Sequence, residues 1–430
     1  MHIEMICTGE EVLSGQIVDT NGAWVGQRLL EAGVEIHSRI TVGDRMDDLV
    51  AAFTRSAGIA DVVLINGGLG PTVDDLSSEA MAKAMGVELV LHQGWLDTIT
   101  AWFERNGRAM PASNNKQALL PSGAVMVDNP VGTACGFRVR WQGTWFVFTP
   151  GPPTELKTMM NGEILPWLSR EFAITAPSQL YRMLTTGHGE SALAEQLASV
   201  SLPDGVDLGY RASMPYIEIK LLRRGKVADA RWLQLLDEVR TALGDAWLGD
   251  NVYSVAEACH QLLLVQGKQL VTAESCTGGM VASNLVDLAG SSAYLQGGWV
   301  TYSNAAKQSE LNVSAETLAE HGAVSTATAM AMAQGARAKL DSDIAISITG
   351  VAGPDGGSEE KPVGTVAFAL AYRGGYVAQM LRLGNKRHGR DGVRKLAATV
   401  ALDMVRRHLR GESVCADYGY FTRLEQCQSE

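Results

Sequence analysis

Ser275, Tyr302 and Lys307 are a hydroxyl, a phenol and an amine, the parts from which a nucleophile and its base are made. Ser275 stands in Thr272-Ala273-Glu274-Ser275-Cys276-Thr277-Gly278-Gly279. The glycines let the backbone turn tightly and let a ligand come close. A hydroxyl at such a turn is either a helix cap or a nucleophile, and both readings stay open at this point. Tyr302 and Lys307 are offered near one another in Thr301-Tyr302-Ser303-Asn304-Ala305-Ala306-Lys307. Lysine acts as a base only if burial or a neighbouring charge lowers its pKa. Otherwise Tyr302 is a half-buried aromatic and Lys307 a solvated cation. A second chemical group lies nearer the start. Asn66-Gly67-Gly68-Leu69-Gly70-Pro71-Thr72-Val73-Asp74-Asp75 pairs glycines, whose amides can approach phosphate oxygens, with two carboxylates. Asp74 and Asp75 either hold a divalent cation between protein and phosphate or cap the following helix.

Further polar loops accompany these groups. Thr349-Gly350-Val351-Ala352-Gly353-Pro354-Asp355-Gly356-Gly357 continues to Lys361-Pro362-Val363-Gly364-Thr365. Such a glycine-rich run makes a poor core and a good ligand loop. Arg387, Arg390 and Arg394 precede or enter the last helix, and arginine binds phosphate through a bidentate fork. His188, flanked by glycines, reads as an exposed loop histidine rather than a ligand.

The elements that must hold these groups follow from hydrophobic periodicity. His2 to Cys7, Val34 to Val42 and Asp61 to Ile65 read as strands. Helices are expected after Asp19-Thr20-Asn21, over Asp44 to Ser56, and through Met85. In the middle, Tyr181 to Thr186 and Pro215 to Leu221 alternate as strands, and Ala228 to Leu243 reads as a helix. Further on, Val255 to Leu264 is an amphipathic helix, Lys268 to Val271 a strand running into the serine turn, and Met280 to Leu288 a helix. Trp299 to Tyr302 and Asp343 to Ile348 are strands, Ser303 can cap a helix carrying Lys307, and Gly364 to Leu381 reads as two strands joined at Gly374-Gly375. Alternating strands and helices predict an α/β protein, and ligands in such sheets bind at the carboxyl ends of the strands.

A chain of 430 residues exceeds one ordinary core and predicts two or three domains. Lys and Arg total 36 against 47 Asp and Glu, a net charge of −11, which argues against nucleic-acid binding. The six cysteines are scattered with no CxxC pair, so neither a disulfide framework nor a zinc site is expected. No secretion-type N-terminus and no membrane-length apolar run is present in the sequence, which fits a cytoplasmic protein.

Thr8-Gly9-Glu10-Glu11, Asp19-Thr20-Asn21 and Gly67 to Asp75 together resemble the molybdopterin-binding-like domain. Asn115 to Ala118, Pro121, Asn129 to Ala134 and Pro150 to Glu155 resemble the version found in CinA-type (competence/damage-inducible) proteins. That resemblance implies a metal-dependent ADP-ribose pyrophosphatase with Glu10, Asn21, Gly67, Gly68, Gly70 and Thr72 at a nucleotide site and Asp74 and Asp75 on the metal. Ser77 departs from a usual threonine, and Cys135 from a usual proline.

Ala273 to Gly279, Thr301 to Asn304, Gly322-Ala323-Val324-Ser325, Gly353 to Gly357 and Lys361 to Thr365 closely resemble nicotinamide-mononucleotide deamidase. That resemblance implies Ser275 as nucleophile and Tyr302 and Lys307 as its activating partners, with Tyr302 relaying or orienting the proton. Glu274, Thr277, Gly278, Gly279, Thr349, Gly350, Gly353, Gly356 and Arg390 would bind substrate, and no cofactor is implied for this reaction. The domains expected are 1–170 (molybdopterin-binding-like), 171–250 (a small α+β linker), 251–412 (deamidase) and a tail, 413–430. The expected partners are nicotinamide mononucleotide, ADP-ribose and a second copy of the chain, with no nucleic acid and no membrane. The contrasting reading is a non-catalytic molybdopterin-like binding or competence-associated scaffold protein.

Overall fold

The structure is a computed structural model that describes residues 1–174, 178–225, 227–384 and 389–429. Arg387, one of the arginines singled out above, lies outside them. The chain divides into a unit of Met1–Leu180 with Arg224–Lys226 and a second of Tyr181–Arg223 with Val227–Glu430. Strands and helices alternate through most of both units, so the protein is a mixed α/β chain.

In the first unit a sheet runs Ile36–Val42, Ile3–Thr8, Val62–Asn66, Thr144–Thr149, Gly136–Trp141, Val125–Val127. The first four strands are parallel and the last two antiparallel. Ile3–Thr8 and Val62–Asn66 are buried along their whole length, as strands covered on both faces must be. Phe53, Phe137, Phe146 and Phe148 fill one face, and Val25, Leu29, Leu156 and Ile164 the other. Three parallel strands therefore deliver Gly9, Gly67 and Pro150 to one edge, at their carboxyl ends.

The second unit holds two sheets. The antiparallel middle sheet runs Val206–Ser213, Tyr216–Arg223, Gln179–Thr186, Trp247–Asp250. Leu193, Leu197, Trp232 and Leu236 from its helices pack against it. The larger sheet runs Leu295–Val300, Leu270–Glu274, Ile344–Gly350, Thr365–Tyr372, Gly375–Arg382, Thr422–Gln428. Its first three strands are parallel and the rest antiparallel. Thr422–Gln428, in the segment expected as a tail, is the edge strand of this sheet.

Small side chains set the spacing on one face of the larger sheet. Ala367, Ala369, Ala371 and Ala378 meet Ala329, Ala333 and Ala336 of the helix Thr326–Leu340. At Gly335 even a methyl group would come within 2.0 Å of the Leu311 carbonyl oxygen. That close approach draws the helix Asn304–Leu311, which carries Lys307, inward. The other face packs against Val255–Gln266 and the long helix Gly389–Arg410. Inside that layer, Asp403 accepts from Arg406, Arg407 and the Tyr418 hydroxyl, and all four side chains are buried.

Candidate active site

Ser275 follows directly on the buried strand Leu270–Glu274, at its carboxyl end. Its amide donates to the Ile348 carbonyl of the neighbouring strand at 2.9 Å, so the start of the turn is fixed by the sheet. Gly278 and Gly279 then take positive φ, 62° and 89°, which reverses the chain into the helix Met280–Val286. Lys307 arrives from the second turn of Asn304–Leu311, whose N-cap is Ser303, accepting from the Ala306 amide at 3.1 Å.

Lys307 Nζ lies 3.1 Å from Ser275 Oγ and donates to the Thr301 carbonyl oxygen at 2.9 Å. The lysine is 1% exposed and the serine 7% exposed. Burial holds the Lys307 amine below the ordinary lysine value, because the charged form is penalised away from water. Neighbouring Cys276 is pushed up to about 12, mainly by burial, so its thiol is inert beside the serine. The pair opens into a cavity of about 170 Å³ lined also by Tyr302, Thr349, Gly350 and Arg390.

Tyr302 is placed differently from the relay expected above. It is 60% exposed, and its hydroxyl accepts from Arg390 Nη2 at 2.9 Å. Lys307 reaches Ser275 directly, so no intermediary is needed between them. Arg390 also donates to the Gly353 carbonyl at 2.6 Å, and thus ties the tyrosine side of the pocket to the glycine loop. Thr349 lines the cavity while its hydroxyl donates to Ala323 O at 2.7 Å. Gly356 lines an adjacent cavity of about 530 Å³.

Glu274, expected to touch substrate, instead lies fully buried under the turn. Its two oxygens accept from the amides of Val281 and Ala282 at 3.1 and 2.9 Å. The carboxylate therefore satisfies the start of Met280–Val286 from inside, where it also suits the positive end of the helix. Those amides are committed to Glu274 rather than offered to a ligand. The Gly278 amide is likewise taken, by Ser275 O at 3.0 Å. Arg394 Nη2 donates to the Thr277 carbonyl at 2.8 Å and holds the turn from the opposite side. Neither the Glu274 cap nor the Thr301 carbonyl has a local sequence signal, because both contacts end on backbone groups that any residue supplies.

At the sheet edge of the first unit, a cavity of about 350 Å³ is lined by Glu11, Asp44, Gly67, Gly68, Gly70, Asp74, Asp75 and Glu155 among others. Glu11 lines it where Glu10 was expected; the Glu10 amide donates to Asp44 at 2.9 Å. Asp44 follows a strand end, the position that the carboxyl-end rule would have picked out. Asn21 is a tie, donating to Asn66 Oδ1 and Gly151 O. Thr72 donates its amide to Asp75 at 2.9 Å, and its hydroxyl donates to the same carboxylate. The Gly67 amide is taken by the Thr149 carbonyl, so it is not free to bind phosphate. Ser77 fills its position well: fully buried, it donates to Gly67 O at 2.9 Å. Cys135 is buried beside Gly136.

Burial, with Glu11, Asp74 and Asp75 nearby, pushes the Asp44 carboxyl up, against the opposing pull of the Glu10 amide. Burial also raises Glu155. Among the described residues no group of three or more ligating side chains is gathered to hold a metal ion. The acidic rim fits a hard cation that shares its coordination with a phosphate, since Mg²⁺ is commonly held by one or two carboxylates plus substrate oxygens.

Residues 252–409 match the family model of the CinA C-terminal domain, and residues 4–170 that of a probable molybdopterin binding domain. A CinA-like protein of Shewanella sp. (strain MR-4) is 54% identical over 426 residues, which cover 99% of this chain and 100% of that protein. The chain belongs to the CinA family. Another CinA-family relative, from Shewanella oneidensis, shows the same identity and coverage and bears the name nicotinamide-nucleotide amidohydrolase PncC. Among solved structures, the competence/damage inducible protein CihA from Agrobacterium tumefaciens is 42% identical. It covers 36% of this chain and 94% of that chain, with a TM-score of 0.34. The serine turn, the lysine helix and the glycine loop of this CinA-family chain all fall within the matched C-terminal region.

Proposed function

We propose that the second unit is an amidohydrolase that converts nicotinamide mononucleotide and water to nicotinate mononucleotide and ammonia. The observation that carries this reading is the buried 3.1 Å contact between Lys307 Nζ and Ser275 Oγ. A relative named for this amide hydrolysis, matching along nearly the whole chain, supports the choice of substrate.

The chemistry follows from the contacts. One Nζ hydrogen of neutral Lys307 is engaged by Thr301 O, which leaves the nitrogen lone pair for the serine proton. Ser275 Oγ attacks the carboxamide carbon as its proton passes to Nζ. The tetrahedral oxyanion would be met by backbone amides of the turn, with Thr277 and Gly279 the candidates once Gly278 is set aside. The protonated lysine returns the proton to the leaving nitrogen, the C–N bond breaks, and ammonia departs from an ester on Ser275. Water, deprotonated by the same amine, cleaves that ester and releases the carboxylate product. Arg390 and Thr349, with the glycine loop, would position the nucleotide, its phosphate facing the guanidinium. A scaffold needs no such buried lysine, whose burial costs stability.

The experiment is ammonia release from nicotinamide mononucleotide by the purified chain, together with chromatography of the nucleotide product. Ser275→Ala is expected to lower turnover by about 10³-fold or more with an unchanged circular dichroism spectrum. A folded variant with near-native turnover would overturn the assignment.

The acidic cavity of the first unit favours a second activity. Cleavage of the pyrophosphate of ADP-ribose there would need a divalent cation shared between Asp74 or Asp75 and the substrate phosphates. The cation would supply neutralisation of the phosphate charge.

A further inference from the structure

A cavity larger than the catalytic one also opens in the second unit. It measures about 560 Å³ and opens beside the end of the strand Gly375–Arg382. One wall is the hairpin turn of the middle sheet, with Met214, Pro215 and Tyr216. The opposite wall is Leu396 with Tyr420 and Phe421. Arg382 and His188 stand at its edge.

These walls are held in place by the protein itself. The Tyr420 amide donates to Gly187 O at 2.7 Å. Thr185 and Thr186 donate their hydroxyls to Ile217 O and Pro215 O at 2.7 and 2.9 Å. Tyr418, two residues before Tyr420, is buried and donates to Asp403 at 2.6 Å. Gly189 lets the Tyr420 hydroxyl come close, since a methyl group there would lie 1.9 Å from it and the ring would have to shift. A cavity of this size, with its hairpin and the Tyr420 backbone tied by these bonds, has the character of a small-molecule site.

Its chemistry is selective. Although the chain carries 47 acidic residues against 36 basic ones, no Asp or Glu lines the cavity among the described residues. Arg382 lines the cavity and is exposed, so its guanidinium can meet an anion there. Met214 is 44% exposed and Tyr420 63% exposed at the mouth, apolar surface that a flat ring would cover.

We propose that this cavity is a binding site for a small organic anion with an aromatic body, its acid group on Arg382 and its ring against Met214, Tyr216 and Tyr420. Arg382 and Gly384 also line the cavity that holds Gly356, whereas Ser275, Lys307 and Arg390 do not line this one.

The test uses the full chain and two fluorescent probes, anilinonaphthalene sulfonate, which is an aromatic anion, and the uncharged phenylnaphthylamine. The native protein is expected to bind the sulfonate saturably at one site. Arg382→Gln should weaken the sulfonate roughly tenfold or more, the scale of a charge-assisted contact, and leave the neutral probe nearly unchanged. Ala212→Trp, which fills the cavity from its rim, should remove both. Circular dichroism and thermal melting check that each variant is folded. Absence of saturable binding, or sulfonate affinity equal to native in both folded variants, overturns the proposal. An equal loss of both probes in Arg382→Gln overturns the anion assignment.

Discussion

Lys307 shows how one residue's environment turns a common side chain into a base. Its pKa is lowered by burial. Between the folded value and the ordinary lysine value of about 10.4, the unfolded chain binds a proton that the native chain does not. Stability therefore rises with pH across that window, and the cost of burying the amine is in full force below it. Turnover should accordingly climb with pH through a group below about 10.4. Lys307→Met should lose on the order of 10²- to 10⁴-fold in turnover while raising the melting temperature at neutral pH, because the buried amine is removed. Lys307→Arg keeps a charge that cannot be shed at working pH and should be as inactive. Substantial turnover in the arginine variant would show that the residue acts by charge and that the base lies elsewhere.

The element that matters most is the short passage from strand to helix around Ser275. It is braced from below by Glu274 on the Val281 and Ala282 amides, and from above by Arg394 on the Thr277 carbonyl. Glu274→Gln replaces one acceptor with an N–H that faces another N–H. A loss of about 1–2 kcal/mol in stability is expected, read by urea denaturation. The displaced turn should reduce kcat more than it changes KM, since the serine moves relative to the lysine without altering Arg390 or Thr349. Unchanged kcat in a measurably destabilised Glu274→Gln protein would show that the turn keeps its shape without the cap.

At the scale of the whole molecule, two sites of opposite electrostatic character share one chain. The serine cavity is lined by Lys307 and Arg390 and by no carboxylate among the described residues. The cavity of the first unit is lined by Glu11, Asp44, Asp74, Asp75 and Glu155. A pyrophosphate cannot approach that rim without a cation between them, whereas a nucleotide phosphate can approach Arg390 unaided. If the first unit cleaves ADP-ribose, chelation should abolish the release of AMP and ribose 5-phosphate, read by chromatography, and leave ammonia release from nicotinamide mononucleotide unchanged in the same preparation. Loss of ammonia release on chelation would contradict the metal-free mechanism, and chelator-resistant cleavage of ADP-ribose would remove the metal from the first site. Among the described residues, no helix is long and apolar enough to cross a membrane.

The alternation of strands and helices was readable from residue pattern alone, because period and turn chemistry are local. The buried run ending at Ile65, the paired strands around Gly374-Gly375 and the Ser303 cap were all legible. So was the placement of Ser275 at a strand-to-helix turn, since glycines announce such turns. What each side chain does there came from the packing of the folded chain. Lys307 and Ser275 meet because the small-residue helix Thr326–Leu340 lets the lysine helix pack inward. Glu274 became a cap rather than a substrate contact, and Tyr302 a partner of Arg390 rather than a relay. Glu11 and not Glu10 faces the acidic cavity. Burial and direction of a side chain depend on neighbours far along the chain, and no local pattern records them.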